Sequence, residues 1–341
     1  MSDYKGIKGF QVQTRTSDPS EGIAGDFYYN STDGAFKTIG TATGTWASGT
    51  SIPQNRSLYA TSGTRDTTYI FGGSPQTNIT TGTILYNGSS WTETHDTNRA
   101  VSAAGGFGTS TAAVLVNGYM GGNPSPTYYP TQVEEYDGSS WTNVNNTPEV
   151  STECGSGGSQ TAGIIFGGGN NPGLTANTKT YNGTNWTEVN ELNEGGNRSM
   201  GYCIGTQTAA MFAGGERPPG VTNDVEVWDG SSWTETTEIN TARFLSAGSG
   251  SSTSSVIAGG RQSTNRYTNT ELWDGTSWTE VNDLSTSRSY NVGSGSGDGS
   301  SANNTQQMYA GGVTGPSSTA NTTATEEWNI PDFEIKTVTT S

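Results

Sequence analysis

Side chains that activate water, hold a metal or attack a carbonyl are scarce in this chain of 341 residues. There is one histidine, His95. Any Ser-His-Asp arrangement has to use it, and no nucleophile elbow lies near it. A single imidazole also falls short of the histidine sets that catalytic zinc and copper usually take. No acidic stretch has EF-hand spacing for calcium. His95 therefore reads as an exposed loop residue. Among the 31 acidic residues, Glu134, Glu135, Glu153, Glu194, Glu216, Glu326 and Glu327 are candidates for a glycosidase pair, because loops can bring any two together. None has a distinguishing spacing, and they read as solvated or turn-capping acids. The two cysteines, Cys154 and Cys203, are too few for a disulfide framework. They read as buried thiols, with one bridge between neighbouring repeats as the alternative. No metal or organic cofactor is expected.

These groups are carried by elements written as a repeat. YNGSSW at Tyr86–Trp91 returns as YDGSSW at Tyr136–Trp141, YNGTNW at Tyr181–Trp186, WDGSSW at Trp228–Trp233 and WDGTSW at Trp273–Trp278. A worn copy, WNIPDF, stands at Trp328–Phe333. Asn-Gly and Asp-Gly tolerate the positive φ of a tight hairpin turn, with aromatics on the flanking strands. Before each hairpin a short apolar strand ends in Gly-Gly, at Gly73, Gly122, Gly168, Gly215, Gly260 and Gly312. From that glycine to the first hairpin aromatic takes 13, 14, 13, 13, 13 and 16 residues. Successive tryptophans from Trp46 to Trp278 are 45 to 50 apart. Four short strands, a to d, at that period predict an all-β propeller of six blades in one domain.

Arginine opens strand a at Arg56, Arg99, Arg198, Arg243 and Arg288, while the third repeat has Glu149-Val150-Ser151 instead. Five copies at one position point to a structural contact, with a carbonyl or an acid of a neighbouring blade, because function is usually grafted onto few positions. Residues 1–25 read as an extended arm without a core of its own. Residues 26–50 read as a hairpin turning at Asp33-Gly34 plus a closing strand with Trp46, and 51–341 as the propeller. Trp46 and Phe333 compete for the outer strand of the last blade.

Hydrophobic residues are 29% of the chain and 49 residues are glycine, a composition shared with disordered chains. The regular period argues for folding, and small residues suit blades crowded around an axis. The formal charge of −16 disfavours nucleic acid and anionic membrane surfaces, which bind clustered Lys and Arg. No apolar run approaches the ~20 residues needed to span a bilayer. The segment MSDYKGIKGF has no hydrophobic signal region, so export by a signal peptide is not expected.

The Gly-Gly, Tyr and Trp pattern from Ile52 onward resembles kelch repeats. Copper-dependent kelch-like oxidases need paired imidazoles, which are missing here. Sialidase propellers carry S-x-D-x-G-x-x-W turns, and Asp137-Gly138 departs from that by one residue. The leader GDFYYNSTDGAFK and the DGSSW and TQTA strings (Thr206–Ala209) resemble tail-fibre and structural proteins of marine phages, especially cyanophages. That resemblance implies a non-enzymatic virion protein, assembled in the host cytoplasm and present in several copies per particle. Its N-terminal arm would hold other virion proteins, and its loops would bind host-surface glycan or protein. The b–c loops differ most between repeats and concentrate Tyr128, Tyr129, Arg217, Arg261, Arg266 and Tyr267, read as exposed ligand-binding residues. Unconstrained drift explains the variation equally. A capsid decoration component, a carbohydrate depolymerase and a cellular kelch-like scaffold are the alternative readings.

Overall fold

The computed structural model describes residues 12–40, 42–75, 78–120, 129–169, 173–193, 202–217, 219–289, 304–314 and 320–338. It divides into two compact units, Thr45–Asn329 and a smaller one made of Met1–Gly44 with Ile330–Ser341. Apart from a 3-10 turn at Arg65–Thr67, the regular elements among the described residues are strands. No described helix is long and apolar enough to cross a membrane.

Among the described residues the ring of the larger unit has six main sheets, five with four strands and one with three, and two two-stranded ribbons accompany them. The first runs Ala60–Ser62, Tyr69–Phe71, Thr83–Tyr86 and Trp91–Glu93, with every neighbouring pair antiparallel. The fourth sheet repeats this with Tyr202–Thr206, Ala209–Ala213, Val225–Trp228 and Trp233–Thr236. The sixth contains Gln306–Ala310, Thr325–Asn329 and, from the other end of the unit, Thr45–Gly49. Trp46 pairs with Trp328 there, so Trp46 takes the outer position. Phe333 precedes Glu334–Thr337, which pairs with Ala35–Gly40 in the smaller unit. The domain boundaries thus differ from the sequence reading: 45–49 belongs with the propeller and 330–338 does not. The strand a that the sequence pattern leads one to expect in the last repeat, after Arg288, is not among the described residues, because 290–303 lie outside them.

Alternating side chains of such a strand face opposite sides of its sheet, and both sides are apolar here. Each apolar layer therefore needs a neighbouring sheet. Phe107, Val114 and Val116 of the second sheet meet Ile165 of the third, and Ile164 and Phe166 meet Phe212 and Trp233 of the fourth. Met211 packs toward Ile257 and Trp278, and Ala258 toward Tyr309. Ile70 and Tyr86 of the first sheet share a cluster with Met308 and Ala310 of the sixth, which closes the ring. The innermost strands are small because they crowd the axis. A Cβ on Gly106 would stand 2.8 Å from the Ala60 Cβ and 2.9 Å from the Thr61 carbonyl oxygen.

Two local expectations are corrected by geometry. In the aromatic hairpins only glycine takes positive φ, 88° at Gly88 and 92° at Gly138. The Asx residue works through its side chain instead. Asn87 Oδ1 accepts the Ser89 and Ser90 amides at 3.1 and 2.9 Å, inside a four-residue loop closed by the Tyr86 and Trp91 pair. The Ser139 hydroxyl, with the Ser140 and Ser139 amides, holds Asp137 down to about 2 in the same way. The second correction concerns the glycine pair after strand b. In the second sheet the left-handed pair is Asn117-Gly118, with φ of 54° and 96°. Asn is the non-glycine residue that enters this region most readily. Gly121-Gly122, which the sequence pattern selects, lies outside the described residues. The second b–c connection is correspondingly longer.

The hairpin tryptophans join successive sheets. The indole N–H of Trp141 donates to the His95 carbonyl at 3.0 Å, that of Trp186 to Asn145 at 3.2 Å and that of Trp278 to Thr237 at 3.1 Å. Trp233 and Trp46 donate to the Thr178 and Thr270 hydroxyls, each at 2.9 Å. Trp91 donates to the Thr50 carbonyl at 2.9 Å, across the closure. His95 is an exposed loop residue, as expected, with Nδ1 3.4 Å from the Tyr136 hydroxyl. Both cysteines are free thiols. Cys154 and Cys203 pack beside Gly105 and Gly155 of the preceding innermost strands, and burial pushes the Cys154 thiol up to about 11.

The smaller unit is a four-stranded sheet in the order Gln13–Arg15, Phe27–Asn30, Ala35–Gly40, Glu334–Thr337. The expected hairpin at Asp33-Gly34 forms. The described part of the arm, 12–25, is not a free extension: Gln13–Arg15 pairs in parallel with Tyr28–Asn30. Asp18 accepts from Tyr28 Oη at 2.9 Å, Asn30 Nδ2 at 2.6 Å and Lys37 Nζ at 2.8 Å.

Trp233→Ala removes a ring that is 3% exposed and a bond to the preceding sheet. It should destabilise the protein by about 3–5 kcal/mol, with a smaller loss for the half-buried Trp91, measured by urea denaturation.

Candidate functional site

The b–c loops and the d–a linkers meet at one end of the ring. Bridges Ser57–Ser74, Ser102–Tyr119, Thr152–Gly169, Phe244–Arg261 and Ser289–Val313 tie each linker to the residue that follows a left-handed pair. The recurring arginines build this end. They lie in the linkers, four or six residues before strand a begins at Ala60, Gly105 and Ala247. Arg99 donates to the Asn117 and Gln132 carbonyls at 2.8 and 2.9 Å, and its Nε to Glu134 at 3.0 Å. Arg288 reaches the Ala324 carbonyl at 2.9 Å and Glu326 at 2.7 Å. Arg243 holds the Gly259 and Asn269 carbonyls and pairs with Glu271. Arg56 reaches the Gly82 carbonyl at 2.8 Å, and no carboxylate pairs with it among the described residues. These partners lie in the arginine's own sheet, not in a neighbouring blade. Arg198 lies outside the described residues. Burial pushes Glu134 up, opposed by the Asn98 amide and by Arg99.

The third repeat keeps this clamp with its charges exchanged. Lys179 occupies the strand position that Glu134, Glu271 and Glu326 hold elsewhere, and its Nζ lies 2.8 Å from Glu149. The absence of arginine was legible in the sequence. The compensating lysine was not, because the partner sits 30 residues away on another strand.

The expected ligand residues lie on three different b–c loops. Tyr128 is outside the described residues. Tyr129, in the second loop, meets Tyr119 edge-on at 5.9 Å. Arg217 lies in a small ribbon, Glu216–Arg217 with Gly220–Val221, and pairs with Asp224 at 3.1 Å. Arg261 and Arg266 stand opposite each other in the fifth ribbon, Arg261–Gln262 with Asn265–Arg266. The Arg261 guanidinium covers the Phe244 ring at 4.7 Å, and Arg266 Nε donates to Ser289 Oγ at 2.9 Å. Tyr267 donates to Gln262 Oε1 at 3.2 Å. The expectation that these residues are exposed is corrected: Tyr129, Arg217, Arg261, Arg266 and Tyr267 are half-buried and engaged with neighbours. Only the fifth ribbon brings three of them together.

Glu153 is distinguished only by the structure. It takes a left-handed φ of 55°, and its amide donates to the Ala103 carbonyl at 2.8 Å. Leu58, Ala103 and Leu245 share that conformation after the same bridge. Burial, and secondarily the charge of Glu216, push the Glu153 carboxyl up to about 7. Both acids stood among the sequence candidates, without a mark, because their proximity joins the third and fourth repeats. Among the described residues no cluster of three or more His, Cys, Asp and Glu is arranged to hold a metal ion.

Lys179→Glu sets two acids together where one cation is buried and should cost about 3–5 kcal/mol. Adding Glu149→Arg restores the pattern of the other sheets and should recover most of that loss, read by denaturant titration of both variants. Glu153 gives a pH signature. Its carboxyl titrates near 4.5 when unfolded and near 7 when folded, so folding favours the neutral acid. That contribution is full below the unfolded value and is lost as pH rises through the folded one. Glu153→Gln should match the parent stability at pH 4 and exceed it by about 1–3 kcal/mol at pH 8.

No protein-family model matches the sequence, and no curated protein matches it. Among solved structures the chain is similar to YjhT, with a TM-score of 0.70 and 13% identity, over 85% of this chain and 99% of that one. At this identity the likeness shows the fold alone. The fold is an all-β propeller.

Proposed function

We propose that this chain is a non-enzymatic phage virion protein, a tail-fibre or spike adhesin that binds host-surface glycan or protein through its b–c loops. The carrying observation is the contrast between the two ends of one ring. The Asx-capped hairpins repeat one geometry, while the b–c connections differ in length and build. The second is lengthened beyond Asn117-Gly118, and the fourth and fifth are small ribbons bearing arginine. A rigid ring that clamps variable loops with buried Arg–Glu pairs suits recognition. The kelch-like repeat and the phage-like leader supply the virion part of the reading, and the smaller unit supplies the attachment to the particle.

A virion-associated depolymerase is the second reading. It rests on Glu153, a carboxyl held protonated toward neutrality beside the Glu216 carboxylate, the kind of pairing that acid-assisted glycoside cleavage uses.

Arg217→Ala and Arg266→Ala should leave particle assembly intact, cost about 0.5–1.5 kcal/mol for the lost bonds, and weaken adsorption to host cells. Deleting residues 1–25 should leave a folded propeller, since Thr45–Gly49 remains, that no longer enters particles. Normal adsorption by both loop variants overturns the adhesin reading. Release of reducing sugar from host polysaccharide, lost in Glu153→Gln, would favour the depolymerase.

A further inference from the structure

The smaller unit has one covered sheet face and one bare one. Tyr28, Asn30, Lys37 and Ile39 point to the first and are buried. Asp18 bonds three of them, and a Cβ on Gly22 would strike Ile39 Cδ1 at 2.0 Å, so the chain itself covers that side. The opposite face carries the alternate residues. The registers align Phe27 with Thr38 and Lys336, and Tyr29 with Phe36. The Val338 amide bonds the Phe36 carbonyl at 2.9 Å, which sets Val338 beside Phe36. Val12 falls beside Phe27, one residue before the Gln13–Tyr28 pair. Phe27 and Phe36 stack at 5.4 Å with 11° between their planes, and Tyr29 meets Phe36 at 5.1 Å.

This face is open. Val12, Phe27, Phe36 and Val338 are 45%, 45%, 46% and 40% exposed. With Ile23 they are the exposed large hydrophobics among the described residues, and all five belong to the smaller unit. A half-apolar sheet ordinarily packs its apolar side on a second layer.

We propose that the second layer is the same face of another copy of this chain. Charge favours that occupant. Residues 1–44 and 330–341 hold five Lys and Arg against seven Asp and Glu, a net of −2, which leaves −14 of the total −16 on residues 45–329. The smaller unit is therefore where two such acidic chains meet with least repulsion. The charges bordering the face, Lys336 and Glu334, are paired with each other, so packing strands no lone ion. Four strands about 4.8 Å apart make a face of roughly 300 Å² in plan. Packing two of them covers roughly 600 Å² in plan, the size of a weak, transient interface. The association is thus concentration-dependent, and it presents two propellers on one assembly, where avidity multiplies weak loop binding. It does not depend on what the loops bind.

The test is sedimentation equilibrium of the full chain at increasing concentration up to about 100 μM, the range where so small an interface associates. The expected mass rises from 35.6 kDa toward twice that value. Phe27→Ser with Phe36→Ser should remain at the single-chain mass with an unchanged propeller unfolding midpoint. Val338→Cys should cross-link to a second copy under mild oxidation, a readout that does not require removing the aromatic pair. A full chain that stays single at the highest concentration overturns the proposal, as does a double variant that associates like the parent or a Val338→Cys chain that forms no cross-link.

Discussion

A sheet that is apolar on both faces cannot satisfy itself, and the rest of this structure follows from that constraint. Each apolar layer lies between two successive sheets, from the Phe107–Ile165 layer to the Ile70–Met308 layer. The row has no end that can be left open, because an end sheet would expose a full apolar face. Closure solves this, and the chain accomplishes it by sending Thr45–Gly49 into the same sheet as Gln306–Ala310 and Thr325–Asn329. Only 29% of the residues are hydrophobic, and those on the strands are concentrated in clusters shared between successive sheets.

Polar groups then specify the geometry that apolar packing leaves loose. Indole N–H groups reach back to the preceding sheet around the whole ring, including Trp91 to Thr50 at the closure. Gln160 and Gln207 add a second link, each donating to two carbonyls of the sheet before it. At the loop end, Arg99 and Arg243 satisfy the carbonyls of the left-handed Asn117 and Gly259, and Arg99, Arg243 and Arg288 each meet a carboxylate. Buried ion pairs of this kind contribute more to defining one arrangement than to net stability. The third sheet fills this site with the charges reversed, Lys179 against Glu149, so the pair there does not depend on arginine.

This division separates scaffold from candidate site. The hairpin end repeats because each Asx cap and tryptophan has the same local task. The b–c end varies because the clamps lie beneath the loops and hold their bases, which leaves loop length free. The half-buried Arg217, Arg261 and Arg266 are therefore part of the loop structure itself.

The repeat, the all-β class, the Trp positions and the Asp33-Gly34 hairpin were determined by the sequence, since each depends on residues within a few positions of one another. Several features were decided only in three dimensions. Asn117 replaces a glycine because left-handed backbone accepts Asn, which no Gly-Gly pattern can report. Trp46 rather than Phe333 completes the ring because ladder pairing selects between strands from opposite ends of the chain. Lys179 meets Glu149, and Glu153 feels Glu216, through sheets brought side by side by closure. The arm is likewise pinned by Asp18 to a hairpin that lies after it in the chain. Local spacing encodes turns and strands. Which distant charges and edges become neighbours depends on burying both faces of every sheet at once.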